Sequence, residues 1–354
     1  MSRRVCLKDI AQEAGASVVT VSLALNGSLS ANTKARISEA RKREIQKIAA
    51  RMGYCPSAAG RILKSKNIND IGLLIFEESE QARDNQEFFG FSIYISRICQ
   101  ELGIRCQQEW FDPIREKDKI PLIMRDGLIG GLIIAGNPEG ESKRFLEEDF
   151  SLPYVRLEEL GPCSVVLDPA PAVRQAMEYL AATGHRRVAL INGPTEVRRF
   201  REIEQLFRTE AVRFGWSDSL DRIYTIPFLC DFAETSLDAV RYTFDRPDRP
   251  DAVLVASGQS KSIMCLIERM GIRIPEDVSI IHFIANDRES IKFQPPITAI
   301  ETASRELAET GVSMLRELMA NGKTEVMQRV IPAKFVIRKS VIDRSNIGKI
   351  RTKC

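Results

Sequence analysis

From residue 71 to residue 342 short aliphatic runs alternate with helical stretches, and no other feature of the 354-residue chain constrains its fold as tightly. "IGLLIF" (71–76) precedes the helical "GFSIYISRICQELG" (90–103). "GGLIIAG", "YVRL" and "SVVLD" read as further strands, a helix is expected over 172–183, and the strand "RVALING" comes next. "DAVLVAS" and "VSIIHFI" follow, again separated by helical segments. Strands that are apolar throughout are buried on both faces, and intervening helices supply the covering layers. The pattern predicts α/β architecture with doubly wound parallel sheets. It is too long for one such unit and predicts two, with ligands favoured at strand C-terminal ends and in the cleft between lobes.

Residues 1–54 are helical by pattern. "LKDIAQEA" places Leu7, Ile10, Ala11 and Ala14 on one helix face. Gly15 breaks this helix and Ser17 can cap the next. A third amphipathic run puts Ile45, Ile48, Ala49 and Met52 on one face and ends at Gly53, with Asn32 or Ser38 as its cap. "PSAAGRILKSKNIND" (56–70) reads as a short basic helix and a polar linker. The chain thus divides into a head (1–54), a helix and linker (55–69), an α/β core (70–342) and a tail (343–354).

Charge separates head from body. Residues 1–66 hold 13 Lys+Arg against 4 Asp+Glu, a net of +9, whereas the whole chain carries only +3. A basic head on an acidic body is the footprint of contact with phosphate, although a solvated basic surface would look the same. The eight cysteines form no C-x-x-C, and only two histidines are present, so no zinc spacing exists. Scattered cysteines suit a reducing cytoplasm. "MSRRVCLKDIAQ" lacks the apolar run of a signal peptide, and no segment is long and apolar enough to span a membrane. The expectation is a cytoplasmic protein, on the nucleoid when bound to DNA. No G-x-x-x-x-G-K-[ST] phosphate loop, G-x-S-x-G elbow or paired Cys/His site is found. The expectation is therefore no enzyme, no cofactor and no metal.

The first two helices have helix–turn–helix spacing. At 100° per residue, Val18, Val19, Ser22, Leu23 and Asn26 share one face of the second helix. Thr20, Val21, Ala24 and Leu25 share the other, which suits packing on the first helix. An ordinary helical hairpin would carry charges outward. Exposed Val18, Val19 and Leu23 instead fit a partly apolar surface, and thymine methyl groups in the major groove provide one.

"LKDIAQEAGASVVTVSLALN", "ARMGYCPSAAGRILKS" and "IGLLI" resemble the head, hinge and first core strand of the lactose-repressor (LacI/GalR) family of transcription regulators. "LDPAPAVRQAMEYLAATGHRRVALINGP", "PEDVSII", "QPPITAI" and "IPAKFVIRKS" are similar to that family's effector-binding core. The resemblance implies a helix–turn–helix head, a hinge helix and two periplasmic-binding-protein-like lobes crossed by three strands. On the chain these lobes are expected over about 70–163 with 298–324, and 164–295 with 326–342. It further implies a homodimer on a pseudo-palindromic double-stranded operator, controlled by a small molecule between the lobes.

Carried over, the base-reading positions fall on Val18, Val19 and Leu23, while Ser17, Thr20, Ser22 and Asn26 contact phosphates or position the helix. The family often has Arg where Leu23 stands, so methyl contact and DNA deformability must carry more of the readout. Leu63 is the implied minor-groove wedge, with Ala59 and Arg61 beside it; packing beneath the core is the alternative for Leu63. Gly60 replaces the usual Ala, a change that costs a helix about 1 kcal/mol. The stretch "GSLSANTKAR" is longer than the family norm and adds Lys34 and Arg36.

In the core the resemblance implies effector contacts at Glu77, Phe88, Phe91, Asp168, Arg201, Phe207 and Ser257. An Arg fork clamps hydroxyls or carboxylates well, but Arg201 could equally be a surface residue among Arg198 and Arg199. Asp168 could cap the helix that follows it, and the phenylalanines could be core. Ser257-Gly258 replaces the Asn-Asp of sugar-binding members, and His282 occupies a usual Gly slot. His282 and His185 are expected to be structural. The departures leave two readings of the core, an effector other than a sugar or a degenerate pocket. A remote third is an α/β enzyme or binding protein whose head serves only in association.

Overall fold

The computed structural model describes residues 5–26, 37–52, 69–77, 86–126, 128–227, 232–257, 260–285, 290–321 and 326–345. The chain forms two compact units, Met1–Ile68 and Asn69–Cys354. In the first, α1 (Leu7–Glu13) and α2 (Val18–Asn26) are joined through Gly15, whose φ of 55° suits a residue without Cβ. Ser17 Oγ accepts the Thr20 amide at 3.1 Å and so caps α2. Of the two candidate caps for α3 (Glu39–Arg51), Ser38 is the one used, its Oγ accepting from the Arg41 amide at 3.3 Å. Ile10, Ala11, Ala14, Val21, Ala24, Ile45 and Ala49 close the small core.

The second unit holds two six-stranded sheets. The first contains β1 (Ile71–Phe76), β2 (Cys106–Phe111), β3 (Gly131–Ala135), β4 (Tyr154–Leu157), β5 (Cys163–Asp168) and β11 (Met327–Pro332), in the order β11-β5-β4-β3-β1-β2. The second contains β6 (Val188–Asn192), β7 (Ile223–Thr225), β8 (Ala252–Val255), β9 (Ser279–Ile284), β10 (Thr298–Glu301) and β12 (Lys334–Val336), in the order β12-β10-β9-β8-β6-β7. Every pairing is parallel except β10 with β12. The helices between them are α4 (Gln86–Glu101), α5 (Leu122–Arg125), α6 (Gly140–Glu148), α7 (Ala170–Ala182), α8 (Arg198–Arg213), α9 (Phe232–Phe244), α10 (Ser260–Arg269) and α11 (Ser304–Asn321).

The expected lobe boundaries need correction. Strand β5, expected in the second lobe, pairs with β4 in the first sheet, Arg156 opposite Ser164. Strand β10, expected in the first lobe, pairs with β9, Thr298 opposite Ile281. Strand β11 returns to the first sheet, Met327 opposite Cys163, and β12 goes back to the second. The chain therefore crosses between lobes near Asp168, Thr302 and Ala333. Two crossings are tied directly, the Ala333 amide donating to the Asp168 carbonyl at 2.9 Å.

Successive strand residues point to opposite faces. Leu74, Phe76, Leu132 and Ile134 build one outer core of the first sheet. Ala189, Ile191, Val253 and Val255 do the same for the second. Leu73, Ile75 and Ile133 join Leu190 and Leu254 in one apolar cluster that runs through both lobes.

Both sheets have the same switch point. In the first, β1 lies between β2 and β3; in the second, β6 lies between β7 and β8. The C-terminal ends of those central pairs are the places where an open α/β sheet receives ligands. Glu77 follows β1, Asn192 ends β6 and Ser257 follows β8.

Candidate functional site

On α2 the outward apolar surface is present. Val19 is 57% exposed and Val18 40%, Leu23 is half-buried, and Val21 and Ala24 are buried against the other helices. Ser17 is exposed and Thr20 half-buried, their hydroxyls 2.9 Å apart. Ser22 is a correction: expected on the outward face, it is buried. The packed arc of the helix takes in residues 21, 22, 24 and part of 25, so Ser22 falls at its edge, while 19, 20 and 23 lie opposite. Asn26 closes the helix. Ala59, Arg61 and Leu63 lie outside the described residues.

In the core, α8 decides which arginines reach the first lobe. Ile203, Phe207 and Ala211 are its buried row. Four residues earlier on that row stands Arg199, not Arg201. Arg199 donates from Nη1 to Glu158 Oε2 at 3.1 Å, and both side chains are nearly buried. Glu158 follows β4 in the first lobe, so this ion pair bridges the lobes. Its other oxygen, Oε1, accepts the Leu167 amide at 3.0 Å. Arg198 adds a second bridge: its guanidinium donates to the Glu158 carbonyl at 3.2–3.3 Å and grips Glu202 with two contacts of 2.7 Å. Arg201, the expected anchor, is exposed and donates only to the carbonyls of Thr195 and Glu196. Two residues from Arg199, it is turned about 200° around the helix.

Beside these groups lies a pocket of about 580 Å³ lined from both lobes, by Val166, Asp168 and Val330 on one side and Arg174, Arg198 and Glu202 on the other. Asp168 is among its lining residues, and its Oδ1 also accepts the Ala170 amide at 2.9 Å at the start of α7. Glu77 is buried at its switch point. Ser257 is buried, and its Oγ has no hydrogen-bond partner among the described residues; the same holds for Asn192 Oδ1 on the adjacent strand. Asn192 Nδ2 is held by the Phe200 carbonyl at 2.9 Å.

The phenylalanines correct the expectation of an aromatic wall. Phe91 and Phe207 are completely buried in the shared cluster, and Phe88 packs half-buried against it. The rings of Phe91 and Phe207 are covered by core side chains. His185 is buried, with Nε2 2.8 Å from Ser279 Oγ. His282 is buried on β9, and burial lowers its pKa to about 4 despite a contact with the Phe283 carbonyl. Among the described residues no group of His, Cys, Asp and Glu could hold a metal ion, and no helix is long and apolar enough to cross a membrane.

Residues 6–57 match the model of the bacterial regulatory proteins of the lacI family, and residues 177–341 match that of a periplasmic binding protein-like domain. The chain thus joins a lacI-family helix–turn–helix domain to a periplasmic-binding-protein-like domain. The chain is 25% identical over 348 residues to the HTH-type transcriptional repressor PurR of Photobacterium profundum, covering 95% of itself and 98% of that protein. It is 26% identical over 360 residues to the PurR repressor of Escherichia coli O139:H28, with coverage of 95% and 97%. Its fold is similar to the lac repressor dimer bound to operator and the anti-inducer ONPF, at TM-score 0.79 and 20% identity over 96% of this chain and 100% of that one. It is also similar to the transcriptional regulator CelR in complex with cellobiose, at TM-score 0.65 and 21% identity over 95% and 100%.

Sequence reasoning missed Glu158, Arg198, Arg199 and Asn192. One signal for Arg199 was available: the apolar row Ile203, Phe207, Ala211 extends back to residue 199. Counting forward from "INGP" reaches Arg201 instead.

Proposed function

We propose that this chain is a DNA-binding transcription repressor that acts as a homodimer on a pseudo-palindromic operator. The observation that carries this reading is the capped helix α2 with Val18 and Val19 exposed. An exposed valine pair on a basic head has little use in water and fits thymine methyl groups. Ser17, Thr20 and Asn26 then serve the phosphates, and Ala59, Arg61 and Leu63 the central minor groove, with Leu63 as wedge.

A small molecule between the lobes sets the affinity for the operator. Its groups are Arg199, Glu158 and Asp168 at the cleft, with Asn192 and Ser257 at the switch point. A ligand carboxylate could take Arg199 from Glu158; the CelR likeness supports a small-molecule role for such a core in general. Linkage then requires operator and ligand to alter each other's affinity equally. The Glu158–Arg199 pair also favours a second reading, in which the chain's own carboxylate occupies the anchor and no effector is needed.

Selection of bound sequences from random duplex DNA at two salt concentrations tests the proposal. It predicts a pseudo-palindrome with thymines in each half-site and a flexible central step. Recovery of no motif, with binding that collapses as salt rises, would leave only the phosphate contribution and refute sequence-specific repression. The selected operator then separates the two readings: a carboxylate ligand that changes its affinity rules out the effector-blind form.

A further inference from the structure

Helix α4 and strand β2 meet at a tight corner of the first lobe. The Leu102 amide donates to the Ile98 carbonyl, that of Gly103 to Gln100 and that of Ile104 to Cys99, at 2.9–3.1 Å. Gly103 supplies the left-handed step, at φ 69°. The chain then reverses and places Cys106 at the head of β2, opposite Ile71. This return packs Cys106 against the apolar cluster that holds Cys99, and each thiol acts electrostatically on the other. Cys99 is buried and Cys106 half-buried, so Cys106 is the more accessible of the two.

The surroundings favour charge on the outer sulfur. The Cys99 thiol and the Gln108 amide both hold Cys106, Gln108 Nε2 lying 3.9 Å from its sulfur. Gln108 is itself fixed by Ser92, which donates to its Oε1 at 2.6 Å, and by Ser96. The contact with Cys99, together with that of Gln108, outweighs burial and lowers the Cys106 pKa; Cys99 is raised by the contact with Cys106 and by burial. A thiolate that can be reached, with a second thiol against it, is the arrangement of an attacking and a resolving cysteine.

We propose that Cys99 and Cys106 form a peroxide-oxidised dithiol, which makes the first lobe redox-responsive. The Cys106 thiolate attacks one oxygen of a peroxide. The O–O bond breaks, Cys106 becomes a sulfenic acid, and the leaving oxygen departs as hydroxide and takes up a proton. The Cys99 sulfur then attacks the Cys106 sulfur. An S–S bond forms, the S–O bond breaks, and the released hydroxide takes the Cys99 proton. Two thiols lose two electrons and two protons, and hydrogen peroxide becomes two waters. The new bond ties the end of α4 to edge strand β2. This inference is independent of the operator and of the effector.

Tryptic mapping of the full chain tests it, because cleavage after Arg97, Arg105 and Arg115 puts the two cysteines on separate peptides, 98–105 and 106–115. After brief hydrogen peroxide treatment and alkylation of the remaining thiols, the two peptides should appear joined and should separate on reduction. Cys106→Ser should abolish the link. Cys99→Ala should leave Cys106 as a sulfenic acid that dimedone traps. The exposed Cys265 is the internal control. Recovery of both peptides alkylated while Cys265 is oxidised would overturn the proposal, as would overoxidation of Cys106 without a link in the unmodified chain.

Discussion

Arg199 Nη1 stands 3.1 Å from Glu158 Oε2, and this contact runs from the second lobe to the first. Removing one partner of a buried pair leaves the other charge uncompensated, at a cost of about 3 kcal/mol. Glu158→Gln should therefore lower the urea midpoint of the core, and the double variant with Arg199→Gln should recover part of the loss. Arg201→Ala, on the exposed side of α8, should change stability by less than about 0.5 kcal/mol. Equal losses at positions 199 and 201 would contradict the assignment of Arg199 as the arginine paired across the lobes.

Val19 and Val18 offer methyl groups to a partner. Val19→Ala should weaken binding to the selected operator by about 1 kcal/mol per half-site, the value of buried methyl groups. It should not alter the salt slope, which counts phosphate contacts. Replacing the half-site thymines by uracil should weaken the unmodified protein by a similar factor and Val19→Ala much less. A uracil operator bound as tightly as the thymine one would exclude methyl readout.

Ser17 has two separable roles. Its hydroxyl caps α2, and loss of a cap costs about 1 kcal/mol. Ser17→Ala should speed hydrogen exchange of the α2 amides and weaken operator binding. Ser17→Asp restores the cap but sets a carboxylate against phosphate, so exchange should stay slow while affinity falls. If the Ser17→Asp variant binds operator as well as the unmodified chain does, this end of the helix does not approach the backbone of DNA.

His282 gives the core a pH dependence whose sign is defined. Its pKa in the folded chain is lowered to about 4, below the unfolded value near 6.5. The unfolded chain therefore binds the proton more readily. The contribution is fully present above about pH 6.5 and is lost as pH falls through the folded value, to a limit of about 3 kcal/mol. Thermal midpoints should drop between neutral pH and pH 4, and His282→Gln should flatten that part of the profile. An unchanged slope in the variant would show that other groups carry it.

Much of the fold could be read locally. The aliphatic runs at 71–76, 131–135 and 188–192 are strands because such runs need cover on both faces. Ser17 and Ser38 begin helices because their hydroxyls satisfy free amides. The exposed valines of α2 followed from helical period alone, whereas the burial of Ser22 did not, because the width of the packed arc depends on how α1 and α3 close around it.

The sequence by itself determined the longer apolar strands, the helices of the head, its basic charge and the resemblance to the lacI family. Only the tertiary structure decided which sheet each of 163–168, 298–301 and 327–332 joins, and which arginine of "RRFR" pairs with Glu158 of the other lobe. Strand pairing is made by backbone groups that nearly every residue carries, so an apolar run reads the same whichever sheet receives it. The facing of Arg199 depends on where α8 starts and on its burial against both lobes. Neither is a property of the four residues alone.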